Sequence, residues 1–258
     1  MSVLEEIARA RAERVRALEA LDPIPEPSPV TAPHAYLEAV RRAPGTPIRL
    51  IAEVKRAAPS AGVLRDALDG AAAVRAYEAG GAAAISVVTE EERFGGSTAL
   101  FRECRGTATR PVLWKDFVVS DYQMRLARRE GADAILLIAA LAGDRLGALV
   151  ERALTLGLEP LVEVHDAGEA RRATESPARV IGINNRDLAT LRVDLATTER
   201  LAPLLSGRVV VAESGVEAAA DLERLAGAGA DAALVGSSLM RQDDLEAAVR
   251  RLLGGTVS

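Results

Sequence analysis

Residues 77–88 read YEAGGAAAISVV, and the same grammar returns in RREGADAILLI (128–138) and LAGAGADAALV (225–235). Each stretch closes a helical segment at Gly and enters an apolar run through small residues. Gly ends helices because it takes the left-handed conformation without strain, and a buried strand after it is what an αβ turn requires. An internal echo of this kind marks a repeated βα unit. Outward from these three, eight apolar runs emerge: RLIAEVK (49–55), AAAISVVTE (82–90), PVLWKDF (111–117), DAILLIA (133–139), EPLVEVH (159–165), RVIGINN (179–185), RVVVAES (208–214) and DAALVGS (231–237). They recur every ~20–30 residues, enough for one strand, one helix and two short loops. Continuous aliphatic and β-branched runs suit parallel strands covered on both faces. Eight such units closing on themselves predict an α/β protein of the (β/α)8 or TIM-barrel class. An open doubly wound sheet is the alternative, but no Gly-x-Gly-x-x-Gly turn follows the first run.

The 258 residues, 49% hydrophobic and 27% charged, fit the ~250 residues of such a barrel. The first 48 differ. A charged helix over roughly 3–21 leads into DPIPEPSPVTAP (22–33), whose prolines forbid continued helix, and AYLEAVRRA (35–43) follows. This segment is too short and too polar for a core of its own. The expected organisation is therefore a helical extension (1–48) over the barrel mouth and a catalytic barrel (49–258). A net charge of −5 advertises neither nucleic acid nor an anionic membrane. No run approaches the length of a membrane span, and the N-terminal stretch has no signal-peptide core, so a cytoplasmic protein is expected. The single Cys104 reads as buried helix filler. His34 and His165 have no partners at metal-ligand spacing, so no metal site is expected.

Scarcity sharpens the functional reading. Among 32 Lys plus Arg residues only Lys55 and Lys115 are lysine, and Asn184 and Asn185 are the only asparagines. Arginine serves surface solubility equally well but holds its proton near neutral pH, so the surviving lysines mark places where a titratable ammonium is needed. Both lie at strand ends, and the C-terminal strand ends of a barrel build its active site. The first run ends in Glu53-Val-Lys55, the third in Lys115-Asp116, the fifth in Glu163-Val-His165, the sixth at Asn184 and the seventh at Glu213. With a side-chain period of two, Ile51, Glu53 and Lys55 share one face, as do Leu113 with Lys115 and Leu161 with Glu163. Trp114, Val162 and Val164 then face the helices. Small residues at 213–215 (ESG) and 236–238 (GSS) place backbone N–H groups after strands seven and eight, where barrels often bind phosphate. Metal-free acid–base chemistry on a phosphorylated small molecule follows.

The ordered motifs AEVKRAAPSAG (52–62), VVTEEERFGGS (87–97), LWKDFVVSDYQ (113–123), LVEVHD (161–166), IGINNRDL (181–188), VAESGV (211–216) and LVGSSLM (234–240) together resemble the indole-3-glycerol phosphate synthase family of tryptophan biosynthesis. The resemblance spans essentially the whole chain. It implies conversion of 1-(2-carboxyphenylamino)-1-deoxyribulose 5-phosphate to indole-3-glycerol phosphate with loss of carbon dioxide and water, without metal or organic cofactor. It also implies Lys115 as general acid, a role that calls for a pKa pulled toward neutrality by desolvation and the other lysine against the opposing pull of nearby carboxylates. Glu163, Asn184, Lys55 and Glu53 become further catalytic groups. Glu213, Ser214, Gly215, Gly236, Ser237, Arg186 and Ser60 become substrate or phosphate contacts. Pro59, Phe94, Phe117 and Leu136 become walls around the anthranilate ring. Ala58 and Ala61 depart from the family's usual Ser and Lys. The remaining readings are a Schiff-base aldolase or Amadori isomerase barrel, or a non-catalytic phosphoester-binding barrel. A monomer or weak homodimer is expected.

Overall fold

Eight parallel strands pair in chain order and close on the first in the computed structural model, which describes residues 3–28, 35–59, 61–187 and 190–255. They are β1 (Arg49–Val54), β2 (Ala84–Val88), β3 (Val112–Lys115), β4 (Ala134–Ile138), β5 (Glu159–Val164), β6 (Val180–Asn184), β7 (Val209–Glu213) and β8 (Ala232–Val235). The barrel class and its strand order are those the repeated αβ turn predicts. Helices between the strands form the outer layer, and their starts carry the expected chemistry. Asp69, Ser97, Asp166 and Asp244 each accept a backbone N–H from the first turn of the helix they cap. Gly81, at φ 106°, closes the helix Gly70–Gly80 and donates to Tyr77 and Glu78 carbonyls.

The strand faces divide as period two requires. Ile51, Leu113, Leu136, Leu161, Val211 and Leu234 pack together inside the barrel. Trp114, Val162 and Val164 belong to the outer core between strands and helices. Trp114 is 1% exposed, its ring centroid 4.7 Å from that of Phe101. Cys104 is buried in the same layer. Parallel register then sets the functional side chains level with one another. Glu53 pairs with Ser86, Lys115 with Val88, Glu163 with Ile138 and Asn184 with Glu213.

The N-terminal segment divides between the two ends of the barrel. Helix α1 (Val3–Leu21) reaches the C-terminal mouth, where Leu4 and Ile7 line the central cavity. Helix α2 (Ala35–Val40) buries Tyr36, Leu37 and Val40 against the inner barrel residues. Just beyond it the Arg42 N–H donates to Asp231, the residue before β8, so α2 plugs the floor rather than the mouth. The physical reason is composition: AYLEAV carries three large apolar side chains on one short helix, enough to fill the bottom of the barrel.

Candidate active site

The strand ends and their loops enclose a cavity of about 570 Å³. It is lined by Glu53 and Lys55 from β1 and its loop, Lys115 and Phe117 from β3, Leu136 from β4, Glu163 from β5, Asn184 and Arg186 from β6, and Glu213, Ser214 and Gly215 from β7. Gly236 and Ser237 after β8, with Pro59 and Phe94 in the first two βα loops, complete the wall. Fifteen of the sixteen residues singled out in the sequence thus meet in one space. Ser60 lies outside the described residues, as does His34.

The ionisable groups form one connected cluster. Lys55 Nζ sits 2.7 Å from Glu53 Oε1, and Lys115 Nζ sits 3.4 Å from Glu53 Oε2 and 3.8 Å from Glu213 Oε2. Burial opposes ionisation of Glu53, but Lys115 and Lys55 outweigh it and hold the carboxyl down at about 2. Burial likewise opposes the Lys115 ammonium. Glu53, Glu213 and Glu163 outweigh that cost, so its pKa lies above that of a free lysine. This corrects the expectation of a lysine poised near neutrality: the pull of three carboxylates outweighs desolvation. Glu163 and Glu213 move apart. Burial disfavours both charges, but His165, Lys115 and Asn184 hold Glu163 below the ordinary carboxylate range. Glu213 rises, because burial is joined by the neighbouring charge of Glu163.

Two glycines make this crowding possible. A Cβ at Gly182 would lie 2.1 Å from Glu213 Oε1, and one at Gly236 would lie 2.6 Å from Glu53 Oε1 and 3.0 Å from Lys55 Nζ. Gly236, expected as a phosphate contact, therefore also makes room for the Glu53–Lys55 pair. The turn after β7 is tight: Ser214 at φ 67° and Gly215 at φ 90° are both left-handed. The Ser238 hydroxyl donates to the Val216 carbonyl and ties this turn to the one after β8. The second loop is ordered by Glu90, whose carboxylate accepts the N–H groups of Glu92, Arg93 and Phe94. That loop presents Phe94, whose ring centroid lies 6.3 Å from that of Phe117. Arg186 has no carboxylate within ion-pair distance among the described residues; its Nη1 donates to the Leu191 carbonyl.

Sequence reasoning missed several neighbours. His165, expected as a loop or hydrogen-bonding residue rather than a ligand, lies between Glu163 and Glu169, 3.2 and 3.1 Å away. Its place two residues beyond Glu163 was the available signal. Asp116, noted at its strand end, is buried and paired with Arg11 of α1, a partner 105 residues distant that no spacing reveals. Leu191 and Val193 add apolar wall. Asn185, by contrast, is structural: it accepts from Thr198 and donates to the Ser214 carbonyl. Among the described residues, no three His, Cys, Asp or Glu side chains are grouped to hold a metal ion, and no helix is long and apolar enough to cross a membrane.

The sequence pattern described as indole-3-glycerol phosphate synthase matches residues 4–252. The chain belongs to that family. Indole-3-glycerol phosphate synthases of Streptomyces griseus and Mycobacterium avium are 47% and 48% identical to it, each over 98% of this chain and over 95% and 92% of their own length. Indole-3-glycerol phosphate synthase 1 of Streptomyces coelicolor is 48% identical over 98% of the chain. Among solved structures, thiamine phosphate pyrophosphorylase from Pyrococcus furiosus superposes with a TM-score of 0.59 at 19% identity, covering 80% of this chain and 93% of its own. That likeness concerns the barrel alone.

Proposed function

We propose that the chain closes the indole ring of 1-(2-carboxyphenylamino)-1-deoxy-D-ribulose 5-phosphate, releasing carbon dioxide and water, with Lys115 as the general acid. Membership of the family makes it a carboxy-lyase, indole-3-glycerol-phosphate synthase (EC 4.1.1.48), acting in tryptophan biosynthesis. The observation that carries the residue-level reading is the meeting of both lysines of the chain with Glu53, Glu163 and Glu213 in one cavity.

Ring closure has an aromatic carbon attack the ketone, so negative charge grows on the ketone oxygen. An ammonium in a dry site stabilises that oxygen and can hand it a proton. The raised pKa of Lys115 suits a donor: the group is protonated before substrate arrives, and an alkoxide is basic enough to take the proton. Loss of carbon dioxide then neutralises the ring system. Departure of the hydroxyl with loss of a proton from the sugar carbon restores aromaticity. Glu163, ionised and hydrogen-bonded to Asn184, is read as the proton acceptor, with Glu53 fixing both ammonium groups. Lys55, beside Gly236, and the turns at Ser214, Gly215 and Ser237 are read as the phosphate end. Arg186, with no carboxylate at ion-pair distance among the described residues, is read as holding the other anionic group of the substrate. Pro59, Phe94, Phe117 and Leu136 would wall the aromatic ring. We place the reaction in the cytoplasm, in a monomer or weak homodimer, with residues 1–48 as an extension of the barrel.

The test is indole fluorescence appearing when the purified chain meets the carboxyphenylamino-ribulose phosphate, with one carbon dioxide released per indole. Borohydride that traps the substrate on Lys115 would instead favour Schiff-base chemistry.

A further inference from the structure

Strand β5 and the helix after it hold an imidazole between two carboxylates. His165 Nε2 lies 3.2 Å from Glu163 Oε1, at ion-pair distance. Its Nδ1 lies 3.1 Å from Glu169 Oε2, and the same oxygen accepts the His165 backbone N–H at 2.8 Å. Glu169 is fixed in turn by the helix Ala167–Glu175, whose capping Asp166 accepts the Glu169 N–H. The three side chains are shielded: Glu163 is 3% and Glu169 7% exposed. The His165 side chain is 14% exposed.

An ionised carboxylate only accepts hydrogen bonds, so the Nδ1 in contact with Glu169 carries the proton. With Nε2 protonated as well, the ring's positive charge lies 3.2 Å from Glu163. Burial favours the neutral ring, but Glu163 and Glu169 outweigh it and push the pKa up to about 10. The charged groups facing the imidazole are Glu163 on its own strand and Glu169 on the following helix. Those facing Glu163 are His165, Lys115 from β3 and Glu213 from β7, with Asn184 of β6 as a hydrogen-bond partner.

We propose that His165 is a positioning residue: held as an imidazolium by Glu169, it fixes the Glu163 carboxylate in its ionised form and so leaves Glu213 as the carboxyl that keeps a proton. Two adjacent buried carboxyls cannot both ionise cheaply, and a fixed cation on one side decides which does. The bridge thereby assigns acceptor and donor roles that the two glutamates alone would share.

The chain has two histidines, so nitrogen-15 NMR of the imidazoles resolves both, with H34Q assigning the signals. His165 is expected to stay protonated on both nitrogens from pH 5 to 8.5; a ring that titrates with a midpoint near the ordinary ~6.5 overturns the proposal. In kinetics, H165N is expected to lower kcat about tenfold or more while KM stays within about threefold. Removing the cation raises the Glu163 pKa, so the acid limb of kcat/KM should move up by about one pH unit. E169Q should move it in the same direction by less. A packing role would lower the melting temperature and leave that limb where it was, and an unmoved limb in a folded H165N also overturns the proposal. The inference rests on reading Glu163 as a proton acceptor in the proposed reaction. Absence of turnover by the unaltered chain would sink that reading, whereas the NMR result judges the charged bridge without any turnover.

Discussion

Arg11→Ala isolates what attaches α1 to the barrel. The Arg11 guanidinium is 8% exposed and donates through Nε to Asp116 Oδ1 at 3.0 Å, with Nη2 on the other oxygen. Asp116 is 3% exposed and keeps two further donors, the Phe117 N–H at 2.8 Å and Gln123 Nε2 at 3.1 Å. Removing one partner of a buried pair strands the other charge and typically costs about 3–5 kcal/mol. The two surviving donors put this case at the lower end, about 3 kcal/mol, which at about 2–4 °C per kcal/mol is a fall of roughly 6–12 °C in melting temperature. A double-mutant cycle with Asp116→Asn is the assay, read by thermal and urea unfolding. Because R11A/D116N leaves no buried charge, it should recover at least half of the single-mutant loss. KM should rise in R11A more than kcat falls, since α1 carries Leu4 and Ile7 into the cavity wall. Additive single costs, or a loss below about 1 kcal/mol in R11A, would refute a buried ionic clamp.

Lys115→Arg should cut turnover at least ~100-fold with the fold intact, because a broad, planar, delocalised guanidinium does not set a compact charged donor against the ketone oxygen; the fluorescence assay and circular dichroism check it. Gly182→Ala should displace the Glu213 carboxylate, since the new Cβ would fall 2.1 Å from Oε1. A kcat loss of ~10-fold or more, with a stability cost of about 1–3 kcal/mol, is expected from kinetics and melting. Glu213→Gln tests the raised carboxyl through stability. In the native chain Glu213 keeps its proton above the ordinary value of 4.5, so the folded state binds more protons than the unfolded one and stability falls as pH rises through that window. Melting of E213Q should therefore gain on the unaltered chain at pH 8 relative to pH 5; an equal difference at both pH values would sink the assignment.

The fold was legible because its signal is local and repeated. A Gly-closed helix followed by small residues and an aliphatic run states its own geometry three times over, and eight apolar runs at that spacing leave the barrel as the natural closure. The inward positions were legible for the same reason, since Ile51, Leu113 and Leu161 announce the face that Glu53, Lys115 and Glu163 share. What was hidden is whatever depends on packing between distant segments. Nothing in AYLEAV says that Tyr36, Leu37 and Val40 fill the barrel floor. Nothing in a charged helix says that one of its arginines, Arg11, is the buried one. The direction of the Lys115 shift was hidden too: counting neighbours along the strands names the carboxylates but not their distances, and distance decides between desolvation and attraction.

Composition and geometry meet in the charge balance of the mouth. A cavity that must receive a phosphate and a carboxylate nevertheless carries Glu53, Glu163 and Glu213 on its wall. Lys115 and His165 are raised and Glu53 and Glu163 lowered, so these four keep their charges, whereas Glu213 is raised and favours its proton; Arg186 adds a positive charge with no carboxylate at ion-pair distance among the described residues. Ionising Glu213 as well would place a further negative charge on the wall and oppose the incoming anions. The raised carboxyl thus makes the mouth more receptive to an anion while Glu53, Glu163 and Glu213 stay in place to steer protons. Lys115, raised above a free lysine, keeps its charge through neutral pH as a guanidinium would, so it is the carboxyls, Glu213 among them, that set the balance.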